Sequence, residues 1–105
     1  MLDPHAIPGL SGEQAAELER LCLSSGIRAL RGFGSAARGD LAPDSDLDLL
    51  VEFACGLDPD LFELGGPRQD LSALVGREVD LKTADMFSEL ALRRVIAGSK
   101  LGYAA

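Results

Sequence analysis

Residues 34–49 read GSAARGDLAPDSDLDL and combine two features that serve one chemistry. The Gly34-Ser35 turn offers backbone N–H groups that can hold phosphate oxygens. Asp46 and Asp48 stand at i and i+2, so on a strand their carboxylates project from the same face and can share hard divalent cations. A phosphate-holding turn and paired carboxylates are together what metal-assisted transfer from a nucleoside triphosphate requires.

The sequence on both sides of this stretch predicts a small α/β layer with a sheet of three or four strands. The clearest strand runs over 46–53, with Leu47, Leu49 and Val51 on one face and the two aspartates on the other. The other predicted elements are a helix capped by Ser11 and Gln14 and stopped by residues 24–26, a strand over 27–33, a helical turn over 35–38, a helical segment opening at Asp58-Pro59, a helix over 67–75 ended by Gly76, a strand over 78–82 and a terminal helix over 86–97.

Composition and charge fit one small domain and disfavour nucleic acid as a direct partner. The 105 residues are 47% hydrophobic, enough for a single core over 1–105, with residues 1–10 as a loose lead-in. The formal net charge is −7, and an acidic surface repels a phosphate backbone. This charge suits a basic protein partner, although it also serves simply to keep a small protein soluble.

The cysteines and the hydropathy pattern favour a cytoplasmic protein with no membrane partner. Cys22 and Cys55 lie in apolar contexts outside any CxxC pattern, so we expect buried free thiols rather than a disulfide or a metal site. No segment resembles a signal peptide, and no apolar run reaches the roughly 18 residues that suggest a membrane span.

Three common loop motifs fail on these residues. A calcium-binding EF-hand loop starting at Asp44 would need a glycine where Leu49 stands. Residues 32–37 formally match a dinucleotide-binding fingerprint, but Gly39 and Pro43 leave little room for the helix that this motif needs. No Gly-Lys-Ser/Thr follows, so a P-loop is excluded as well.

Asp80 and Arg38 are further candidates for the same site. Asp80 lies in an apolar strand, so its carboxylate either faces solvent at a sheet edge or belongs to a site. If its strand pairs beside 46–53, three aspartates could hold one or two Mg²⁺ ions. Arg38 stands one turn after Ser35 and could reach a phosphate oxygen, or it is an ordinary surface arginine. The helix over 86–97 is a candidate partner surface.

Taken together, these residues resemble the minimal nucleotidyltransferases, small members of the DNA polymerase beta superfamily. The shared motif is a Gly-Ser, an Asp-x-Asp about ten residues later and a third acidic residue on a later strand, here Gly34-Ser35, Asp46-Leu47-Asp48 and Asp80. Similar sequence extends over LGG at 64–66 and LVGREVDL at 74–81, and the resemblance covers about residues 12–97. It implies a polymerase beta-like fold, a mixed sheet of three to four strands with flanking helices.

The resemblance also implies a site and a reaction. Asp46 and Asp48 would bridge two Mg²⁺ ions, and Asp80 would hold the catalytic ion and help to deprotonate the acceptor. Gly34 and Ser35 would bind the β- and γ-phosphates of ATP. AMP would pass to a tyrosine hydroxyl of a partner, a HEPN-type ribonuclease toxin, which makes this chain the antitoxin of the pair.

Two other functions stay open on the sequence alone. The chain could neutralise a toxin by binding and occlusion without catalysis. It could also transfer a nucleotide to a small molecule, as antibiotic-modifying relatives do, although those usually carry an extra acceptor-binding domain for which this chain has no room. The sequence is also compatible with a homo-oligomer.

Overall fold

The computed structural model describes residues 12–34, 46–54, 56–57, 59–60 and 62–104, and these residues form an α/β fold. The elements in chain order are α1 (Gly12–Ser25), β1 (Ile27–Gly32), β2 (Leu47–Phe53), α2 (Gly65–Val75), β3 (Val79–Lys82), a 3₁₀ helix (Ala84–Met86), α3 (Glu89–Ala97) and β4 (Lys100–Ala104).

The strands form one mixed sheet in the order β3-β2-β1-β4. β1 runs antiparallel to both of its neighbours, whereas β2 and β3 are parallel. A parallel pair cannot be joined by a tight turn, and α2 supplies the crossover that brings the chain back to start β3 beside β2. The described residues therefore form the α/β fold with a mixed sheet that the sequence predicted.

The core lies between one face of this sheet and the helices α1 and α2. Because successive strand residues point to opposite faces, β2 buries Leu47 and Leu49 while Asp48 faces the other way. A hydrogen bond from Gln14 Nε2 to the Leu74 carbonyl, 3.1 Å long, ties the two helices together. The largest fully buried side chains are Leu18, Cys22, Leu30, Leu47, Leu49, Leu71 and Val79.

Cys22 is a free thiol inside this core, as the sequence predicted. Burial in apolar surroundings raises the pKa of the Cys22 thiol to about 12, so it stays protonated and serves as a small apolar side chain. Cys55 lies outside the described residues, as do the lead-in over 1–10, the predicted cap Ser11 and the predicted turn over 35–38.

The structure corrects the start predicted for the helix over 67–75, whereas Asp58, the predicted cap of the segment before it, lies outside the described residues. The described residues of 59–64 form no helix; Asp60 instead accepts a 2.8 Å hydrogen bond from the Glu63 N–H within a turn. α2 begins at Gly65, two residues before the predicted start. Pro67 is accommodated because the first turn of a helix has no use for its missing N–H.

The C-terminal prediction is wrong in two respects. The expected helix over 86–97 is interrupted after the 3₁₀ turn, and α3 starts only at Glu89, where the Ser88 hydroxyl accepts a 3.2 Å hydrogen bond from the Ala91 N–H. The chain then adds β4, an edge strand beside β1 that the sequence did not predict. Within the residues described, no helix is long and apolar enough to cross a membrane.

Gly76 is the residue whose backbone ends α2, and replacing it should destabilise the protein. Its φ of +75° lies in the left-handed region, and its N–H donates to the Ser72 carbonyl at 3.0 Å. Gly76→Ala should lower the free energy of unfolding by about 1 kcal/mol. Gly66→Ala, inside α2 and facing open space, should instead raise it by a few tenths to about 1 kcal/mol. Urea denaturation measures both, and equal effects of the two variants would contradict this assignment.

Candidate active site

The parallel pairing of β2 with β3 places Asp48 directly opposite Asp80. Neighbouring strands are about 4.8 Å apart, and both carboxylates project from the sheet face opposite the core. Asp46 immediately precedes β2 and is exposed. The pairing of these two strands, which the sequence argument required, is therefore present. It brings the carboxylates at 46, 48 and 80 to one end of the sheet face opposite the core, which is called the open face below.

The Gly34 turn borders the same carboxylates. The Phe33 N–H donates to the Asp48 carbonyl at 3.1 Å, which fixes the chain after β1 against the start of β2. Gly34 has φ +63°, and a Cβ atom there would lie 3.2 Å from Asp48 Oδ2. A side chain at position 34 would therefore be strained in its backbone and crowded by the carboxylate. Ser35 and Arg38, the other predicted phosphate ligands, lie outside the described residues.

Repulsion among the carboxylates is visible at Asp48. Partial burial raises the pKa of Asp48, and the negative charges of Asp80 and then Asp46 raise it further. The positive charge of Lys82 opposes this shift. The ionised form of Asp48 is thus disfavoured by its surroundings, and such perturbed groups are frequent at functional sites.

Lys82 is a site residue that the sequence analysis missed. It follows Asp80 by two residues on β3, so both side chains lie on the open face, and Lys82 Nζ is 3.5 Å from Asp80 Oδ2. The alternation of strand residues could have revealed this neighbour once β3 was predicted. Lys82 belongs to none of the phosphate-binding or metal-binding motifs in the sequence.

The carboxylates of Asp46, Asp48 and Asp80 have the right chemistry for Mg²⁺, but their oxygens do not converge on one point. Carboxylate oxygens are the ligands that this hard cation prefers. As the side chains stand, no three His, Cys, Asp or Glu residues in the described part of the chain converge closely enough to hold a metal ion. Asp80 instead directs Oδ2 towards Lys82. The residue types fit, and a rearrangement of side chains would be needed to complete the site.

The aromatic rings of Phe33 and Phe87 connect α3 to this region. Their centroids are 6.1 Å apart at an interplanar angle of 81°, an edge-to-face contact between the turn before Gly34 and the residues before α3. Phe33 and Gly34 also line a surface depression together with Arg94 and Val95 of α3. Arg94 therefore flanks the turn, although the sequence analysis gave it no individual role.

A cavity of about 300 Å³ continues along the same sheet face beyond the carboxylates. Leu50 of β2 lies two residues after Asp48, and Ala29 and Arg31 of β1 lie beside it. Leu92 and Ile96 of α3 form part of the opposite wall. The open face thus combines a charged end at the carboxylates with a largely apolar floor.

Comparison with known proteins identifies the family. The family model described as a nucleotidyltransferase domain matches residues 17–101. A protein of Methanocaldococcus jannaschii, named as a candidate protein adenylyltransferase, is 33% identical over 76 residues, 72% of this chain and 80% of the relative. The chain belongs to the nucleotidyltransferase domain family, and the resemblance inferred from its motifs is confirmed.

Solved structures share the fold. A candidate minimal nucleotidyltransferase matches with a TM-score of 0.69 and 31% identity, covering 84% of this chain and 88% of that one. A chain of the Shewanella oneidensis complex between a tri-AMPylated HEPN toxin and an MNT antitoxin matches with a TM-score of 0.61 and 19% identity, covering 89% and 71%. The first of these confirms the expected minimal nucleotidyltransferase fold, and the second agrees with it in fold alone.

Neutralising Asp48 should stabilise the cation-free protein at neutral pH. Because folding raises the pKa of Asp48, the folded state binds more protons than the unfolded state, and stability is lost as the pH rises through the folded pKa. Asp48→Asn removes this loss. It should raise the free energy of unfolding at about pH 7, with a gain that shrinks as the pH falls through the raised pKa of Asp48 and the aspartate of the parent protein becomes protonated.

Urea denaturation at several pH values, without divalent cations, measures this effect. Asp70→Asn, on the exposed side of α2, is the matched control and should change little at any pH. A loss of stability in Asp48→Asn at neutral pH would contradict the described repulsion among the carboxylates.

Proposed function

We propose that this chain transfers AMP from ATP to a tyrosine hydroxyl of a HEPN-type toxin and so neutralises that toxin as its antitoxin. The observation that carries the proposal is the placement of Asp48 beside Asp80 on an open sheet face, against the Gly34 turn. The name of the M. jannaschii relative supports a protein as the acceptor. The AMPylated toxin in the Shewanella oneidensis complex supports a toxin as that protein.

The nucleotide would be held by the turn that follows β1. Gly34 and Ser35 would offer backbone N–H groups to the β- and γ-phosphates, and Arg38 would donate from its guanidinium. The lack of a side chain at Gly34 supports this role, because a phosphate can approach the backbone closely only where no Cβ intervenes. Family membership supports a nucleotide substrate, and the finer choice of ATP belongs to this proposal.

Asp46, Asp48 and Asp80 would hold the two Mg²⁺ ions of the reaction. When bound, such ions polarise the phosphate under attack and neutralise the charge that develops there. The unfavourable environment of ionised Asp48 supports this role, since a divalent cation would relieve the repulsion that raises its pKa. Asp80 would have to turn away from Lys82 to join the other two ligands.

The transfer itself is a displacement at the α-phosphorus of ATP. The tyrosine oxygen forms a bond to that phosphorus while the bond to the β-phosphate oxygen breaks, and pyrophosphate leaves. The tyrosine proton passes to the Asp80 carboxylate and from there to solvent. The protein contributes mainly by positioning the two reactants and by stabilising charge.

The acceptor protein would approach over the open face of the sheet. Beyond Asp48 this face has an apolar floor at Leu50 and a wall from α3, where Leu90 and Ile96 are exposed. A net charge of −7 favours encounter with a basic partner. Because ATP and a ribonuclease's RNA targets are found together in the cytoplasm, the proposal places the reaction there.

Mass spectrometry of the intact partner toxin tests the reaction directly. After incubation with ATP and Mg²⁺, the toxin should gain the mass of one or more AMP units. Asp46→Asn/Asp48→Asn should lower the rate by roughly 100-fold or more, because the stabilisation that metal ions provide is worth several kcal/mol. Asp70→Asn is the matched control and should keep the parent rate.

Peptide mapping of the product should place AMP on tyrosine. A stable complex with no mass gain would contradict the transfer and favour neutralisation by occlusion. Mass gain that persists in the double variant would show that the carboxylates are not the site.

Ligand binding should also stabilise the fold through the same carboxylates. With Mg²⁺ and a non-hydrolysable ATP analogue at about 100 times the dissociation constant, the free energy of unfolding should rise by about 2.7 kcal/mol. Thermal or urea denaturation measures this gain, and leaving out Mg²⁺ should remove most of it. An equal gain in Asp46→Asn/Asp48→Asn would contradict binding at this site.

A further inference from the structure

The ion pair between Lys82 and Asp80 involves a carboxylate that the proposed reaction needs. Lys82 Nζ lies 3.5 Å from Asp80 Oδ2, and the two side chains are 40% and 44% exposed. Their i, i+2 spacing on β3 puts them on one face by the geometry of the strand, so the contact follows from the backbone. An ammonium group is a compact point charge on a flexible stem, and it can hold a carboxylate and release it.

Two basic side chains of the neighbouring elements form ion pairs outside the site. Arg28 of β1 pairs with Glu52, and Arg68 of α2 pairs with Glu78. Within the described residues, Lys82 is the basic side chain that forms an ion pair with a carboxylate of this site. Lys82 therefore supplies, beside Asp80, a positive charge of the kind that a divalent cation would supply.

The Asp80 side chain is oriented towards Lys82. Asp48 and Asp80 are opposite each other in the parallel register, yet among the residues described no three carboxylates converge to hold an ion. To share an ion with Asp48, the Asp80 carboxylate would give up part of its attraction to Lys82. Exposed ion pairs of this kind are weak, so a divalent cation can displace the ammonium group.

We propose that Lys82 is a positioning residue that competes with the divalent cation for Asp80, holding this carboxylate away from the site until the cation displaces it. The inference rests on the proposed function, because it assumes that the three aspartates bind a cation. Lys82 then sets the cation concentration at which the site closes, without itself contacting the reacting atoms.

Calorimetric titration of the full chain with Mg²⁺ alone tests the competition. Lys82→Met should bind Mg²⁺ about two- to fivefold more tightly than the parent chain, a change of the size expected from losing one exposed ion pair. Lys82→Arg keeps the charge and should stay near the parent affinity. Lys100→Met, on the distant edge strand β4, is the matched control and should leave the affinity unchanged.

A second readout follows the ammonium group itself. The chain contains two lysines, so nitrogen-15 labelling of the lysine side chains gives two signals. On addition of Mg²⁺, the Lys82 signal should shift with the same concentration dependence as binding, whereas the Lys100 signal should not move. Because a bound cation perturbs any nearby charge, this shift is required by the competition, and the affinity of Lys82→Met distinguishes it from a merely structural role.

The outcomes separate this inference from the proposed function. If the parent chain binds Mg²⁺ but Lys82→Met binds no more tightly than Lys100→Met, or if the Lys82 signal does not move, the role of Lys82 is overturned and the proposed function stands. If binding is the same in Asp46→Asn/Asp48→Asn, or if neither the parent chain nor Lys82→Met binds Mg²⁺, the cation site fails, and both proposals fail with it.

Discussion

The pairing of β2 with β3 in parallel is the constraint on which the candidate site depends. It sets Asp48 opposite Asp80, so two like charges are held at the spacing of adjacent strands. Neither side chain can avoid the other by moving to the opposite face, because that face is filled by Leu47 and Leu49. The buried face of the sheet therefore fixes the geometry of the charged face.

The electrostatic consequence is that the surroundings of Asp48 disfavour its ionised form. Asp48 has a raised pKa because burial and two neighbouring carboxylates disfavour its charge. Lys82 offsets part of this repulsion by pairing with Asp80. The apolar packing of α1 and α2 on the other face of the sheet offsets this repulsion. Leu18, Cys22 and Leu71 are fully buried there.

The parts of this fold that local sequence controls were predictable. β2 alternates core-facing apolar residues with Asp48 and Glu52 on its other face, interrupted there by Leu50, and Gly76 supplies the left-handed residue that ends α2. β4 was missed because its pairing with β1 is a long-range contact that five residues with a central glycine do not signal. At the site, the acidic residues follow from spacing, whereas the contact between Lys82 and Asp80 depends on how flexible side chains are arranged.

The order of the strands also has a consequence for how the molecule acquires its structure. Asp48 and Asp80 are separated by roughly 30 residues of chain, whereas the β1–β4 partners Leu30 and Tyr103 are separated by roughly 70. Closing the shorter loop loses less chain entropy, and β3 also leaves the ribosome before β4. The strands that hold the carboxylates can therefore pair before β4 does, and β4 completes the described sheet at the edge farthest from them.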